Sequence, residues 1–208
     1  GAAGGVFGIL LPFIESLRVA RPDELVAFRY ERYTDRPNAA LTSRLAWEEM
    51  YAANRTLSSM FAFTLVSTCS LRAGTICPER ANIEAAGQRD LGSVQYVSGE
   101  FCTGLGIEAI RGRTITPQDD TASAPPVAVL SHRFWETRFH RAPEAVGATM
   151  RIGKLQVVVI GVLPDAMKNP AGAGAPMPDV ILPLAFHRSE FERLMQARIP
   201  VPPGIIPI

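Results

Sequence analysis

The sequence lacks a large net charge of either sign, and it lacks a long apolar run. Lys plus Arg number 21 and Asp plus Glu number 20, which leaves a net charge of +1. A chain so balanced has no whole-molecule field with which to hold nucleic acid or an anionic membrane. The uncharged opening run, "GAAGGVFGILLPFI", stops at Glu15 and contains Pro12, whereas a membrane-spanning helix needs roughly 20 apolar residues. This run is therefore predicted to be the end of a membrane helix, an interfacial anchor or a buried strand-like segment.

Motifs of common enzymes are also missing. The sequence has no P-loop and no Gly-x-Ser-x-Gly nucleophile elbow. Residues 104–109 match the dinucleotide pattern Gly-x-Gly-x-x-Ala, but they close a predicted helix, so a bound phosphate would meet no helix N-terminus. His132 and His140 lie too far apart for the i, i+4 spacing of a helical zinc pair. We therefore predict no catalytic residue, no metal ligand and no cofactor, and a protein that is not an enzyme.

The segment 132–141 combines basic residues with aromatic ones, a mixture that can follow phosphates and stack on bases. The same pattern is typical of an amphipathic helix that packs its aromatic face on a sheet and leaves arginines at the edge. In a chain of net charge +1 the packing interpretation is favoured. We predict no nucleic-acid partner.

The three cysteines are Cys69, Cys77 and Cys102. Residues 67–79 are predicted to form two short strands around a three-residue loop at 72–74, a register that places Cys69 directly opposite Cys77. Opposed strand residues lie within the roughly 4.4–6.8 Å Cα separation that a disulfide tolerates, so the pair is a disulfide candidate in an oxidising compartment. The alternative is two half-buried thiols. Cys102 is predicted to be a lone thiol in the core.

Hydrophobic periodicity predicts helices alternating with short strands. A helix is expected over 41–63, and "PVAVLS" is expected to be a buried strand whose Ser131 caps the next helix. Residues 148–164 are expected to form a hairpin with Gly153-Lys154 as a type II′ turn. Pro117 is expected to open a helical turn capped by Thr116, with Asp119 at its third position. The predicted fold class is α/β (α+β): a mixed sheet with helices packed on it, plus a small β-rich sub-domain at 62–97.

Three blocks of sequence resemble one family. They are "VSGEFCTGLGIEAIRGRTITPQDD" (97–120), "PVAVLSHRFWETRFHRAPEAVGATMRIGKLQVVVIGVLPD" (126–165) and "PDVILPL" (178–184). Together they resemble the MacB-like periplasmic core domain. In their residues and spacing they are most similar to permeases of the acidobacterial type. The resemblance is strongest over 94–184, extends back to about residue 20, and is expected to end at Leu184. It departs from the family at Cys102, where a second aromatic residue is usual.

The resemblance implies an extracytoplasmic α/β domain of an ABC-type export permease. Such a domain acts as a transmission and docking element, through contacts with other proteins, and not as a catalyst. The resemblance also implies structural roles for its matched residues. Gly112 is then a turn or close-packing position, and Arg113 with the pair Asp119 and Asp120 would connect adjacent loops. Phe134 and Trp135 would pack a helix onto the sheet.

The expected organisation has three parts. Residues 1–19 are the apolar N-terminal segment, 20–185 the periplasmic core, and 186–208 a short helix and a Pro-rich tail. The tail is expected to dock on a partner through apolar and stiff residues: Pro202, Pro203, Ile205, Ile206 and Ile208. The expected location is the periplasmic face of a bacterial inner membrane, with the N-terminal segment in contact with the membrane. The expected partners are a permease, an ATPase or an adaptor; the alternative is a stand-alone extrinsic subunit of an unrelated membrane complex.

Overall fold

The computed structural model describes residues 44–64, 79–167, 169 and 177–187. Within them the chain forms three α-helices, seven β-strands and two short 3-10 helices. In chain order the α-helices and strands are α1 (Arg44–Ala53), β1 (Glu79–Ala85), β2 (Gln88–Val97), α2 (Phe101–Gly104), β3 (Arg111–Gly112), β4 (Val127–Leu130), α3 (His132–Phe139), β5 (Thr149–Ile152), β6 (Leu155–Val162) and β7 (Val180–Pro183). The 3-10 helices are Pro143–Ala145 and Leu184–Phe186. None of these described helices has the length and apolar character that crossing a membrane requires.

The strands form one mixed sheet in the order β3-β6-β4-β7-β2-β1-β5. Because β5 also pairs with β6, every strand except β3 belongs to a closed ring of pairings. β2 is parallel to β7 and β4 is parallel to β6, and the other pairs are antiparallel. Closing the ring pairs edges that an open sheet would leave unpaired.

Apolar side chains alternate along the strands and form two buried clusters. The larger cluster receives side chains from every strand of the ring and from α3. The smaller one joins α2 and the loops after it to the other face of the sheet. Strand β7 shows the alternation, because Val180 and Leu182 belong to the first cluster and Ile181 to the second. The sheet is therefore covered on both faces at β7, which explains why this strand is apolar throughout.

Two local predictions are confirmed. The Ser131 side chain accepts a hydrogen bond from the Phe134 amide at 3.2 Å and so caps α3. Strands β5 and β6 pair Ile152 with Leu155, which leaves Gly153-Lys154 as a two-residue turn. Only Gly153 of these two has a positive φ, +57°, as a type II′ turn requires.

The predicted α+β class, a mixed sheet with helices packed on it, is confirmed. Strands β1 and β2, which fall in the expected β-rich sub-domain at 62–97, belong to the same sheet as the other strands. The part of that sub-domain at 65–78 lies outside the described residues, so the division of the chain into 1–19, 20–185 and 186–208 stays a prediction.

Candidate functional site

The loop that follows β3 is fixed by a charged pair. Arg113 donates from both terminal nitrogens to the Asp119 carboxylate, at 2.6 and 2.8 Å. The same carboxylate accepts from the Thr116 amide at 2.9 Å and from the Thr116 hydroxyl at 2.7 Å. The hydrogen bonds from Arg113, followed by those from Thr116, outweigh the opposing effect of burial and lower the pKa of Asp119 to about 2. Arg113 is brought to Asp119 over a loop of a few residues, so the pair forms within one local segment.

The expected helical turn after Thr116 is present, but its capping differs from the prediction. The Asp119 amide donates to the Thr116 carbonyl at 2.9 Å, and the Asp120 amide donates to the Pro117 carbonyl at 3.2 Å. These bonds close a single turn. The cap is provided by the Asp119 side chain, which accepts from the Thr116 amide, whereas the Thr116 hydroxyl donates to that carboxylate. Half of a capping box is therefore formed.

Asp120 connects two segments that are distant in sequence. Its carboxylate accepts from the Gly99 amide at 3.0 Å and from the Ala185 amide at 2.6 Å. Gly99 lies in the turn between β2 and α2, and Ala185 lies in the 3-10 helix after β7. The neighbouring acids Asp119 and Asp120 thus serve different segments, one within its own loop and one across the fold.

Glu100, which the sequence analysis did not single out, receives donors from the segment around α1. Its carboxylate accepts from the Tyr51 hydroxyl at 2.6 Å, from the Ser59 hydroxyl at 2.8 Å and from the Met60 amide at 3.1 Å. Burial raises the pKa of Glu100, but these hydrogen bonds outweigh it and leave that pKa lowered. The hydrogen bond to Glu100 also raises the pKa of Tyr51. No local signal marks Glu100, because all of its donors lie at least 40 positions upstream.

A cleft of about 260 Å³ lies between α1 and the turn at 98–100. Its walls include aromatic, apolar and acidic side chains, among them Trp47, Tyr51, Met60, Glu100 and Leu184. The Trp47 and Tyr51 rings contact each other with centroids 5.5 Å apart. The cleft therefore lies where α1, the 98–100 turn and the 3-10 helix after β7 meet.

The aromatic face of α3 lies in the larger core cluster, where Phe134 and Trp135 are buried. The Trp135 indole nitrogen donates to the Ala142 carbonyl at 2.8 Å, which satisfies its one polar group. The Arg138 guanidinium lies 5.7 Å from the centre of the Phe134 ring and forms an ion pair with Asp90 of β2. These contacts show that Phe134 and Trp135 pack on the sheet and that Arg138 lies at its edge.

Gly112 occupies a close approach between β3 and β6. Its φ is +64°, and a Cβ built there would lie 2.1 Å from the Ile160 carbonyl oxygen. On the facing strand, a Cβ at Gly161 would lie 2.1 Å from the Arg113 carbonyl oxygen. Opposed glycines therefore allow two backbones to approach more closely than side chains would permit.

The remaining predicted residues give a mixed outcome. Cys102 is buried in the smaller cluster, where desolvation raises the pKa of its thiol to about 12. Cys69 and Cys77 lie outside the described residues, as do the N-terminal segment 1–19 and the tail residues Pro202, Pro203, Ile205, Ile206 and Ile208. Over residues 44–64, 79–167, 169 and 177–187, no group of three or more His, Cys, Asp or Glu side chains could hold a metal ion.

The sequence model of the MacB-like periplasmic core domain family matches residues 26–203. Since this match continues past Leu184, the expectation that the resemblance ends there is wrong. A search of the curated proteins finds no match.

Two solved structures are similar to this chain. The periplasmic region of MacB from Actinobacillus actinomycetemcomitans is 16% identical, with 52% of this chain and 46% of that chain covered and a TM-score of 0.41. The extracellular domain of the noncanonic ABC-type transporter YknZ from Gram-positive bacteria is 15% identical, with 59% of this chain and 55% of that chain covered and a TM-score of 0.39. The chain spans about half the length of these structures.

Proposed function

The chain belongs to the MacB-like periplasmic core domain family, the extracytoplasmic domain of MacB-like ABC permeases, and we propose that it acts there through contacts with other proteins and not through catalysis. The observation that carries the proposal is the extent of the family match, which covers residues 26–203 and so includes the whole described sheet. A fold alone does not establish a function, so the proposal also draws on how the described carboxylates are used.

Four carboxylates of the described fold accept hydrogen bonds from backbone amides. Asp179 accepts from the Ser93 amide at 2.8 Å, in the same way that Glu100, Asp119 and Asp120 accept from amides of distant or neighbouring loops. Hydrogen bonds from backbone amides to these carboxylates fix the geometry of the loops. Fixed loops suit a surface that partners must recognise, because a pre-organised surface loses little conformational entropy on binding.

The proposed setting is the periplasmic face of a bacterial inner membrane, with residues 1–19 in contact with the membrane. The proposed partners are the membrane part of a permease, its ATPase or a periplasmic adaptor. The second candidate is an extrinsic subunit that sits on an unrelated membrane complex. Both candidates predict a protein in contact with the domain surface, and they differ in the identity of that protein.

Exposed apolar side chains offer probes for such contacts. Leu91 on β2 is 56% exposed, Ile110 before β3 is 45% exposed, and Val158 on β6 is 41% exposed. Singly exposed apolar residues are ordinary on protein surfaces, so their use here is as cross-linking positions spread over different elements. Gln156 is also exposed and lies on β6 two residues before Val158, which makes it a matched polar control.

The test is site-specific photo-cross-linking in the native membranes of the source organism. A photoreactive phenylalanine analogue replaces each of Leu91, Ile110, Val158 and Gln156 in turn, and the cross-linked proteins are identified by mass spectrometry. We expect the photoreactive residue at Leu91, Ile110 or Val158 to cross-link to a permease, an ATPase or an adaptor protein. The amount of this product should exceed the amount obtained with the photoreactive residue at Gln156.

The other outcomes discriminate between the candidates. A single unrelated membrane complex, recovered in stoichiometric amount, would support the extrinsic-subunit candidate. Cross-links absent from every position, with the domain folded and present in the membrane fraction, would contradict the proposal of function through protein contact.

A further inference from the structure

The three consecutive residues of the 98–100 turn contact two segments of the fold: the segment from α1 to residue 62, and the loop that bears Asp120. On one side, the Ser98 amide donates to the Ala62 carbonyl at 2.8 Å, and the Ala62 amide donates to the Ser98 hydroxyl at 2.8 Å. Glu100 accepts from the Tyr51 hydroxyl at 2.6 Å and from the Met60 amide at 3.1 Å. The segment from α1 to residue 62 is therefore bound to this turn at both of its ends.

On the other side, the middle residue of the turn connects to the end of the sheet. The Gly99 amide donates to one oxygen of Asp120 at 3.0 Å, and the Ala185 amide donates to the other at 2.6 Å. Leu184 and Ala185 also form part of the wall of the cleft beside α1. Two segments of the chain therefore lie beside this turn. One is α1, which follows residues 1–43, and the other is Leu184–Phe186, which precedes residues 188–208.

Gly99 lies so close to the loop that bears Asp120 that no side chain would fit at this position. A Cβ built at Gly99 would lie 2.4 Å from the Pro117 Cα and 2.7 Å from the Thr116 carbonyl carbon. The loop in turn is fixed by the bidentate contact between Arg113 and Asp119. Close-packed elements of this kind transmit displacement because they deform little.

We infer that the 98–100 turn and residues 116–120 form one rigid junction that couples the position of α1 to the position of Leu184–Phe186. A displacement of α1 acts on Glu100, the adjacent Gly99 passes it to Asp120, and Asp120 passes it to the Ala185 amide. Glu100 and Asp120 are therefore positioning residues for the two segments that enter and leave the described fold. The alternative is a pair of independent contacts that happen to be neighbours in sequence.

Amide hydrogen exchange, followed by NMR on the 208-residue chain, separates these cases. Tyr51→Phe removes the hydroxyl donor to Glu100 and keeps the ring that packs on Trp47. Glu100→Gln is the stronger perturbation of the same contact. Glu49→Gln is the control, because Glu49 lies on the same helix and is exposed.

The decisive readout is the Ala185 amide, which neither substitution touches. A coupled junction predicts that Tyr51→Phe and Glu100→Gln accelerate exchange at the Ala185 amide by about fivefold, the effect of weakening one hydrogen bond. The amides of β4 report global unfolding, and in Tyr51→Phe they should accelerate less than the Ala185 amide. Glu49→Gln should leave every one of these rates unchanged.

The reverse perturbation checks reciprocity, since coupling between two sites must act in both directions. Asp120→Asn weakens the contact with Ala185, and it should accelerate exchange at the Met60 amide, which Glu100 holds. Unchanged Ala185 exchange in Tyr51→Phe and Glu100→Gln, or acceleration that is equal at β4 and Ala185, would overturn the inference. The experiment needs no partner protein, so its failure is distinct from failure of the proposed function.

Discussion

Replacing Gly112 with alanine should destabilise the fold more than the same substitution at a glycine that has open space around it. Gly112 has a φ of +64°, a conformation that side chains rarely adopt, and its new Cβ would lie 2.1 Å from the Ile160 carbonyl oxygen. That oxygen accepts a hydrogen bond from the Arg113 amide at 2.9 Å. The methyl group can be accommodated only if β3 moves away from β6, which would break this bond.

The expected magnitude has two parts. The left-handed backbone conformation costs an L-residue about 1 kcal/mol, and forcing extra volume into a closely packed contact costs about 1–3 kcal/mol. Gly112→Ala should therefore lower the free energy of unfolding by about 2–4 kcal/mol. Gly87→Ala is the matched control, because Gly87 has a φ of +73° and no atom within 4 Å of the position of its Cβ. The control carries the first cost alone.

Urea unfolding followed by tryptophan fluorescence measures both variants, because Trp135 is buried in the core and becomes exposed on unfolding. A chain of this length should lose about 2–4 °C of melting temperature for each kcal/mol. If Gly112→Ala and Gly87→Ala lose the same free energy, the close approach of β3 and β6 carries no energetic weight and the reasoning is wrong.

Other residues give further predictions. Trp135→Ala should lower the free energy of unfolding by about 3–5 kcal/mol, because it leaves a cavity in the core. A change within about 0.5 kcal/mol, measured by urea unfolding, would instead mean that Trp135 is a surface residue. The folded-state pKa of Asp119, about 2, lies below the unfolded value of about 3.9. The ionised Asp119 carboxylate therefore stabilises the fold fully above about pH 4, and this contribution is lost as the pH falls towards 2. Over that window the urea midpoint of the wild type should fall further than that of Asp119→Asn, and parallel curves would contradict this. Thiol labelling of the protein, produced in an oxidising compartment and unfolded without reduction, should find one free cysteine, and three would contradict the bridge between Cys69 and Cys77. Deletion of 200–208 should weaken complex formation without a change in melting temperature, and unchanged assembly would remove the docking role of the tail.

Elements that depend on neighbouring residues were predictable from the sequence. Ser131 follows an apolar strand and precedes an amphipathic helix, and it caps that helix in the structure. Gly153 begins a two-residue connection between alternating strands, and it has the positive φ that a type II′ turn needs. In both cases a single residue type satisfies a local backbone requirement, so a short window of sequence contains the information.

Contacts between distant residues were not predictable. Nothing near β1 indicates that Ile83 and Glu84 pair with Ile152 and Arg151 of β5, although this pairing closes the ring. The turn between β1 and β2 was also missed, because Ala86 occupies it with a φ of +50°, where Asn or Gly is usual. The role of Glu100 was not predictable for the same reason. Its hydrogen-bond donors, like the strands that close the ring, are distant in sequence and are brought together by tertiary packing.

The density of small residues at 96–120 follows from how many elements approach one another there. A Cβ at Gly99 would lie 2.4 Å from Pro117, one at Gly104 would lie 2.6 Å from the Phe61 ring, and one at Gly112 would meet the Ile160 carbonyl. Each glycine marks a place where a different element comes into contact with the stretch. The charged residues between them, Glu100, Asp119 and Asp120, then fix those contacts through hydrogen bonds. The stretch therefore combines small residues, which allow the close approach of other elements, with carboxylates, which connect those elements to one another.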